Sequence, residues 1–122
     1  MKTTPSYADK ISSEEKNIDW NKGALEIHNK IRALYPWPIA ESKINGSVIK
    51  LITTWPEGLI SSDDEKLPVG TVLSVDGKEG IFAVKTSKGA LLVEKVQPSG
   101  KREMLVSEFL NGYKIKKGMR FE

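Results

Sequence analysis

The chain has no cysteine and a single histidine, His28. Without cysteine there is no disulfide stapling and no thiolate chemistry. With no cysteine and one imidazole, no zinc-type ligand set and no Cys–His pair can be assembled, and no Ser–His–Asp arrangement beyond a coincidental one is available. Long apolar runs are missing too: none approaches the ~20 residues that a membrane-spanning helix needs. The opening stretch "MKTTPSYADKISSEE" lacks the apolar centre of a signal peptide. These absences predict a cytoplasmic protein with no membrane partner. Neither G-x-G-x-x-G nor G-x-x-x-x-G-K-[ST] occurs, so dinucleotide and nucleoside-triphosphate binding have no support. The carboxylates of "SSDDEK" lack the spaced ligands and turn glycine of a calcium loop and read as a solvated loop. The chain alone does not read as an enzyme, and no metal site is expected.

What is present suits one small domain. The length of 122 residues supports a single core, and the shares of hydrophobic (39%) and charged (29%) residues are those of a globular protein. Residues 1–17 are polar and without sustained period, which predicts an interdomain linker or arm, with the domain proper over 18–122. From Trp20 the apolar positions Trp20, Ala24, Ile27, Ile31 and Leu34 recur every three or four residues and predict an amphipathic helix capped by Asp19 or Asn21. His28 lies beside Ala24 and Ile31, bordering the core rather than placed to act as a base. "YPWP" then ends the helix, because each proline drives the residue before it out of helical dihedrals. The simplest expectation is a rigid corner whose rings, Tyr35 and Trp37, cap the core. A sharper alternative is a stacking platform for a nucleotide base.

Beyond Ile39 the period shortens. "KINGSVIKLITTW" predicts a tight Asn-Gly hairpin leading into a strand, and "GTVLSVDG", "GIFAVKTSKG" and "ALLVEKVQP" predict three more strands. "LVSEFLNGY" reads as a short helix with Ser107 as its cap and Gly112 as its stop, and "KIKKGMRFE" as a closing basic strand. The fold class is therefore mainly β with one N-terminal helix, in a small OB-like (Greek-key) β-barrel.

Charge is unevenly placed. Residues 1–100 hold thirteen basic and thirteen acidic side chains, whereas 101–122 hold six basic against three acidic, so the whole net charge of +3 lies in the last segment. A lysine-rich end serves solubility in many proteins. The alternative is a phosphate-binding patch, since convergent cations release counterions when they neutralise a polyanion. Its candidate residues are Lys101 and Arg102 in the turn after "VQPSG", Lys114, Lys116 and Lys117 in the closing segment, and Lys43 beside the hairpin.

The blocks "IDWNKGALEIHNKIRALYPWP", "ING", "GTVLSVDGKEG", "GALLVEKVQPSGKREM", "SEFLNGY" and "GMRF" occur in that order, and from Tyr7 to Phe121 the chain resembles the C-terminal domain of methionyl-tRNA formyltransferases. The resemblance implies a non-catalytic tRNA-binding domain that holds initiator methionyl-tRNA through its backbone. A separate N-terminal domain, with the Asn-His-Asp set and SLLP signature that do not occur here, would transfer formyl from 10-formyltetrahydrofolate in translation initiation. That cofactor would bind the other domain and none would bind this chain, which is then expected to be inactive alone and monomeric. Two departures stand out, because the resemblance leads one to expect Asn before the first proline and Gly after the second, where Tyr35 and Ile39 stand. Two further readings remain: a docking module for a catalytic domain, with exposed apolar surface around Tyr7 and Ile11, or the equivalent domain of a formyltransferase acting on another acceptor.

Overall fold

A computed structural model describes residues 16–122; residues 1–15, which hold Tyr7, Ile11 and most of the arm expected over 1–17, lie outside the described residues. The expected mainly β architecture is observed. The elements run α1 (Ala24–Leu34), β1 (Glu41–Ile44), β2 (Ser47–Glu57), α2 (Ser62–Glu65), β3 (Val72–Asp76), β4 (Ile81–Lys85), β5 (Ala90–Pro98), β6 (Met104–Leu105) and α3 (Val106–Gly112).

The strands form one antiparallel sheet in the order β1-β2-β5-β4-β3, with β6 on the free stretch of β5. Asn45 and Gly46 both take positive φ (52° and 82°), which is what a two-residue turn matched to strand twist requires, and β1 folds back on β2 with Ile44 opposite Ser47. β5 is the spine, pairing with β2 over Ile49–Glu57 and with β4 over Phe82–Lys85.

The two outer strands are joined by the end of the chain. Val72 donates to the Met119 carbonyl at 2.7 Å, Phe121 to Gly70 at 2.7 Å and Glu122 to Lys43 at 2.8 Å. Residues 119–122 thus close the sheet into a barrel, as isolated bridges rather than as the expected strand over 114–122. Closure demands a close approach at Gly70, where φ is +89° and an added Cβ would meet the Phe121 carbonyl oxygen at 2.5 Å. Inside, Phe82 lies near Phe109 and Phe121, with ring centroids 6.4 and 6.0 Å away, among the buried Ile49, Leu51, Val84, Leu91 and Val93.

Helix α1 begins later than the periodicity suggests. The Asp19 carboxylate accepts from Asn21 N–H at 3.0 Å and holds a turn before the helix, so neither residue caps it; Gly23 takes the cap position and Ala24 N–H donates to the Lys88 carbonyl. Trp20 sits in that turn, buried, with its Nε1 donating to Ser42 Oγ at 2.9 Å and Ser42 donating to the Glu122 carbonyl at 2.8 Å. This relay ties the residues before α1 to β1 and to the closing segment.

Three other expectations change. Helix α3 starts at Val106 with Leu105 at its cap, so Ser107 lies inside it; that phase buries Val106 and Phe109 three residues apart on one face. The "SSDDEK" loop contains a helical turn, α2, because Ser61 Oγ accepts from Asp64 N–H at 3.1 Å and the first-turn carboxylates face the positive helix end. Trp37 does not cap the core: it is 73% exposed. Ile39 N–H donates to the Leu34 carbonyl at 2.9 Å, which pinches the loop shut at its base and leaves Tyr35, Pro36 and Trp37 at a tip turned to solvent. Ile39 takes the inward place instead, buried, with φ +71°, the left-handed conformation natural to the glycine expected there.

Candidate nucleic-acid interface

The six candidate basic residues fall on separate parts of the barrel. Lys43 is exposed on β1 opposite Val48, and the Val48 carbonyl accepts from Ser99 N–H at 3.0 Å, so the β1–β2 hairpin and the turn that begins at Ser99 lie at one end of the molecule. Lys101 and Arg102 are exposed in that turn, which is held by Lys101 N–H to the Pro98 carbonyl at 2.9 Å and by Gln97 Nε2 to the Lys101 carbonyl at 2.9 Å. The Arg102 guanidinium is paired with Glu108 on α3, which offsets much of its charge locally.

Lys114, Lys116 and Lys117 follow α3 and are all exposed, flanking a buried Ile115. The loop is not a strand, but this one buried side chain still turns its neighbours outward. It is fastened to β3, since Gly118 N–H donates to the Val72 carbonyl at 2.9 Å, so these lysines stand on the barrel edge where the chain end passes from β3 towards β1. Among the described residues no ion pair involves them, which leaves their charge available to an external anion.

The tip of the proline corner is anchored near the Lys101–Arg102 turn. Tyr35 hydroxyl donates to both Glu103 carboxylate oxygens, at 3.0 and 3.2 Å, and that carboxylate raises the phenol's pKa above its ordinary 10.0. Glu103 also pairs with Lys95 on β5 at 3.3 Å. His28 is buried, its Nδ1 2.9 Å from Thr54 Oγ1. Burial, then the neighbouring Arg32 guanidinium, push its pKa below 6.5. It is a bordering core residue, as the sequence suggests.

One exposed aromatic escapes sequence reasoning. Ile49 and Leu51 are buried, so strict alternation along β2 puts Thr53 and Trp55 inside as well. Register shifts between Leu51 and Thr53 and between Thr53 and Thr54 reverse this, burying Thr54 and leaving Trp55 51% exposed. The proline and glutamate after Trp55 mark the strand end but not the shift.

A family model described as "Formyl transferase, C-terminal domain" matches residues 10–114. Among curated proteins, the methionyl-tRNA formyltransferase of Dictyoglomus turgidum is 39% identical over 96% of this chain and 36% of its own length, and that of Bacillus subtilis (strain 168) is 35% identical over 93% and 34%. The chain thus spans about a third of the length of the curated relatives it matches. Among solved structures, HypX from Aquifex aeolicus in complex with tetrahydrofolic acid shares the fold, with a TM-score of 0.62 and 20% identity over 93% of this chain and 22% of that one.

Proposed function

The chain belongs to the family of formyl transferase C-terminal domains, and from that premise we propose that it is the OB-like tRNA-holding domain of a methionyl-tRNA formyltransferase. On this reading, residues 18–122 form the domain and 1–17 the arm to a catalytic N-terminal domain. That second domain would bind 10-formyltetrahydrofolate and formylate initiator methionyl-tRNA in the cytoplasm, while this one contacts the phosphate backbone and carries no catalytic group. The carrying observation is electrostatic: all the net charge lies in the last 22 residues, and three of its lysines stand exposed on one short loop without a carboxylate partner among the described residues. Names of the relatives support the same partner.

Such a surface makes contacts that carry charge but no base identity, so binding is nearly blind to sequence and falls with salt. Replacing Lys114 and Lys116 by glutamate is expected to weaken tRNA binding at least ~10-fold and to flatten the salt slope by about one unit per lost phosphate contact. A filter-binding titration over a range of salt, with circular dichroism to check folding, measures both. Unchanged affinity refutes the site. A docking role toward the catalytic domain draws support from exposed Leu25, which lines a groove with Pro56. A purely docking module would bind tRNA without a steep salt slope.

A further inference from the structure

Between α1 and β2 the surface holds a groove of about 450 Å³ lined by His28, Arg32, Ile52, Thr53, Thr54 and Trp55. Trp55 is half exposed, yet its ring is held in place. Its Nε1 donates to Glu94 Oε1 at 2.9 Å, and its face lies against the His28 imidazole, with centroids 6.0 Å apart and planes 28° from parallel. His28 is itself fixed by Thr54 at 2.9 Å. The lowered pKa keeps that imidazole neutral at physiological pH, so it supports the indole as an aromatic surface and adds no charge.

Arg32 lies one helical turn beyond His28 and is exposed, and among the described residues no carboxylate pairs with it. Lys95, the register partner of Thr53, stands beyond the groove floor, but its ammonium is already engaged by Glu103. The groove therefore offers one oriented, water-exposed indole and one uncompensated guanidinium. An aromatic ring whose orientation is fixed before binding loses little entropy when a flat ring stacks on it. The Glu94 carboxylate at the indole edge repels an anion on that side, which leaves Arg32 as the place for a phosphate.

We propose that this groove is a subsite for one unpaired nucleotide of an RNA strand, its base stacked on Trp55 and its flanking phosphate held by Arg32. The subsite rests on the RNA-holding reading above and adds what lysine–phosphate contacts cannot supply: preference for an unstacked base over a duplex.

Fluorescence anisotropy with a single-stranded oligoadenylate and a blunt RNA duplex tests it. Trp55→Leu is expected to weaken oligoadenylate binding by about 5- to 100-fold while leaving duplex binding unchanged, and Trp55→Phe to retain most of the affinity. Arg32→Gln, an exposed substitution that tests the site even if Trp55→Leu misfolds, is expected to weaken binding and lower the salt slope by ~0.7. Oligoadenylate binding that is absent, or indifferent to Trp55→Leu or to Arg32→Gln in folded protein, overturns the subsite. Such a result, with tRNA binding still sensitive to Lys114→Glu and Lys116→Glu, removes the subsite alone. Loss of that lysine dependence removes the RNA-holding reading with it.

Discussion

The two ends of helix α1 are fastened by different physics. Before its first turn a buried indole, Trp20, lies tilted against Phe121 with centroids 5.5 Å apart and hands a hydrogen bond through Ser42 to the Glu122 carbonyl, so apolar burial and a satisfied polar chain act together. After its last turn the chain is pinched by the Ile39-to-Leu34 backbone hydrogen bond, and the corner beyond it is held by the Tyr35 hydroxyl on the partly exposed Glu103 carboxylate, while Trp37 faces water. A buried relay is costly to break, because each group left behind is desolvated and unpaired. A surface bond between groups that water also serves contributes little. The end of α1 nearer the chain terminus is therefore the structural end, and the proline corner is free to serve contacts outside the domain.

Three measurements break or sharpen that contrast. Trp20→Ala removes the buried ring and takes from Ser42 Oγ the N–H it accepts, and is expected to cost about 3–5 kcal/mol in denaturant unfolding. Gly70→Ala attacks the same lock from the opposite side, where the added methyl meets the Phe121 carbonyl in a left-handed backbone. Its expected cost is about 2–3 kcal/mol, read as a lower denaturation midpoint at unchanged slope. Trp37→Ala, with its ring in solvent, is expected to change stability by no more than about 0.5 kcal/mol. A Trp37→Ala loss comparable to that of Trp20→Ala would erase the distinction between the two ends.

Local reading succeeded where a short segment contains its own instruction. The Asn-Gly turn, the helical spacing of Ala24, Ile27 and Ile31, and the prolines that end α1 each act through dihedrals or period within a few residues. Trp20 and Trp37 look alike at that range, since each is a large apolar residue at a helix end. Which of them is buried depends on what packs over it: the closing segment returns to Trp20, while the Ile39-to-Leu34 hydrogen bond turns Trp37 outward.

The candidate site divides in the same way. That Lys114, Lys116 and Lys117 are exposed follows from their composition and from the single apolar residue among them. That Trp55 is exposed does not, because strand alternation assigns it to the core until two register shifts, imposed by pairing with β5, reverse the pleat. Its partners come from a helix and from another strand, and no spacing in the chain links Arg32 or Glu94 to Trp55.

Sequence by itself determined the mainly β class, the helical stretch that ends at the prolines, the hairpin and the basic end, since periodicity, turn dihedrals and formal charge are properties of neighbours along the chain. Only the tertiary structure decided the strand order, the closure through residues 119–122, the left-handed Ile39 and the outward turn of Trp37 and Trp55. Those features depend on which distant backbone groups pair, and a hydrogen bond across many residues of separation fixes where a side chain points without leaving a mark in the local pattern.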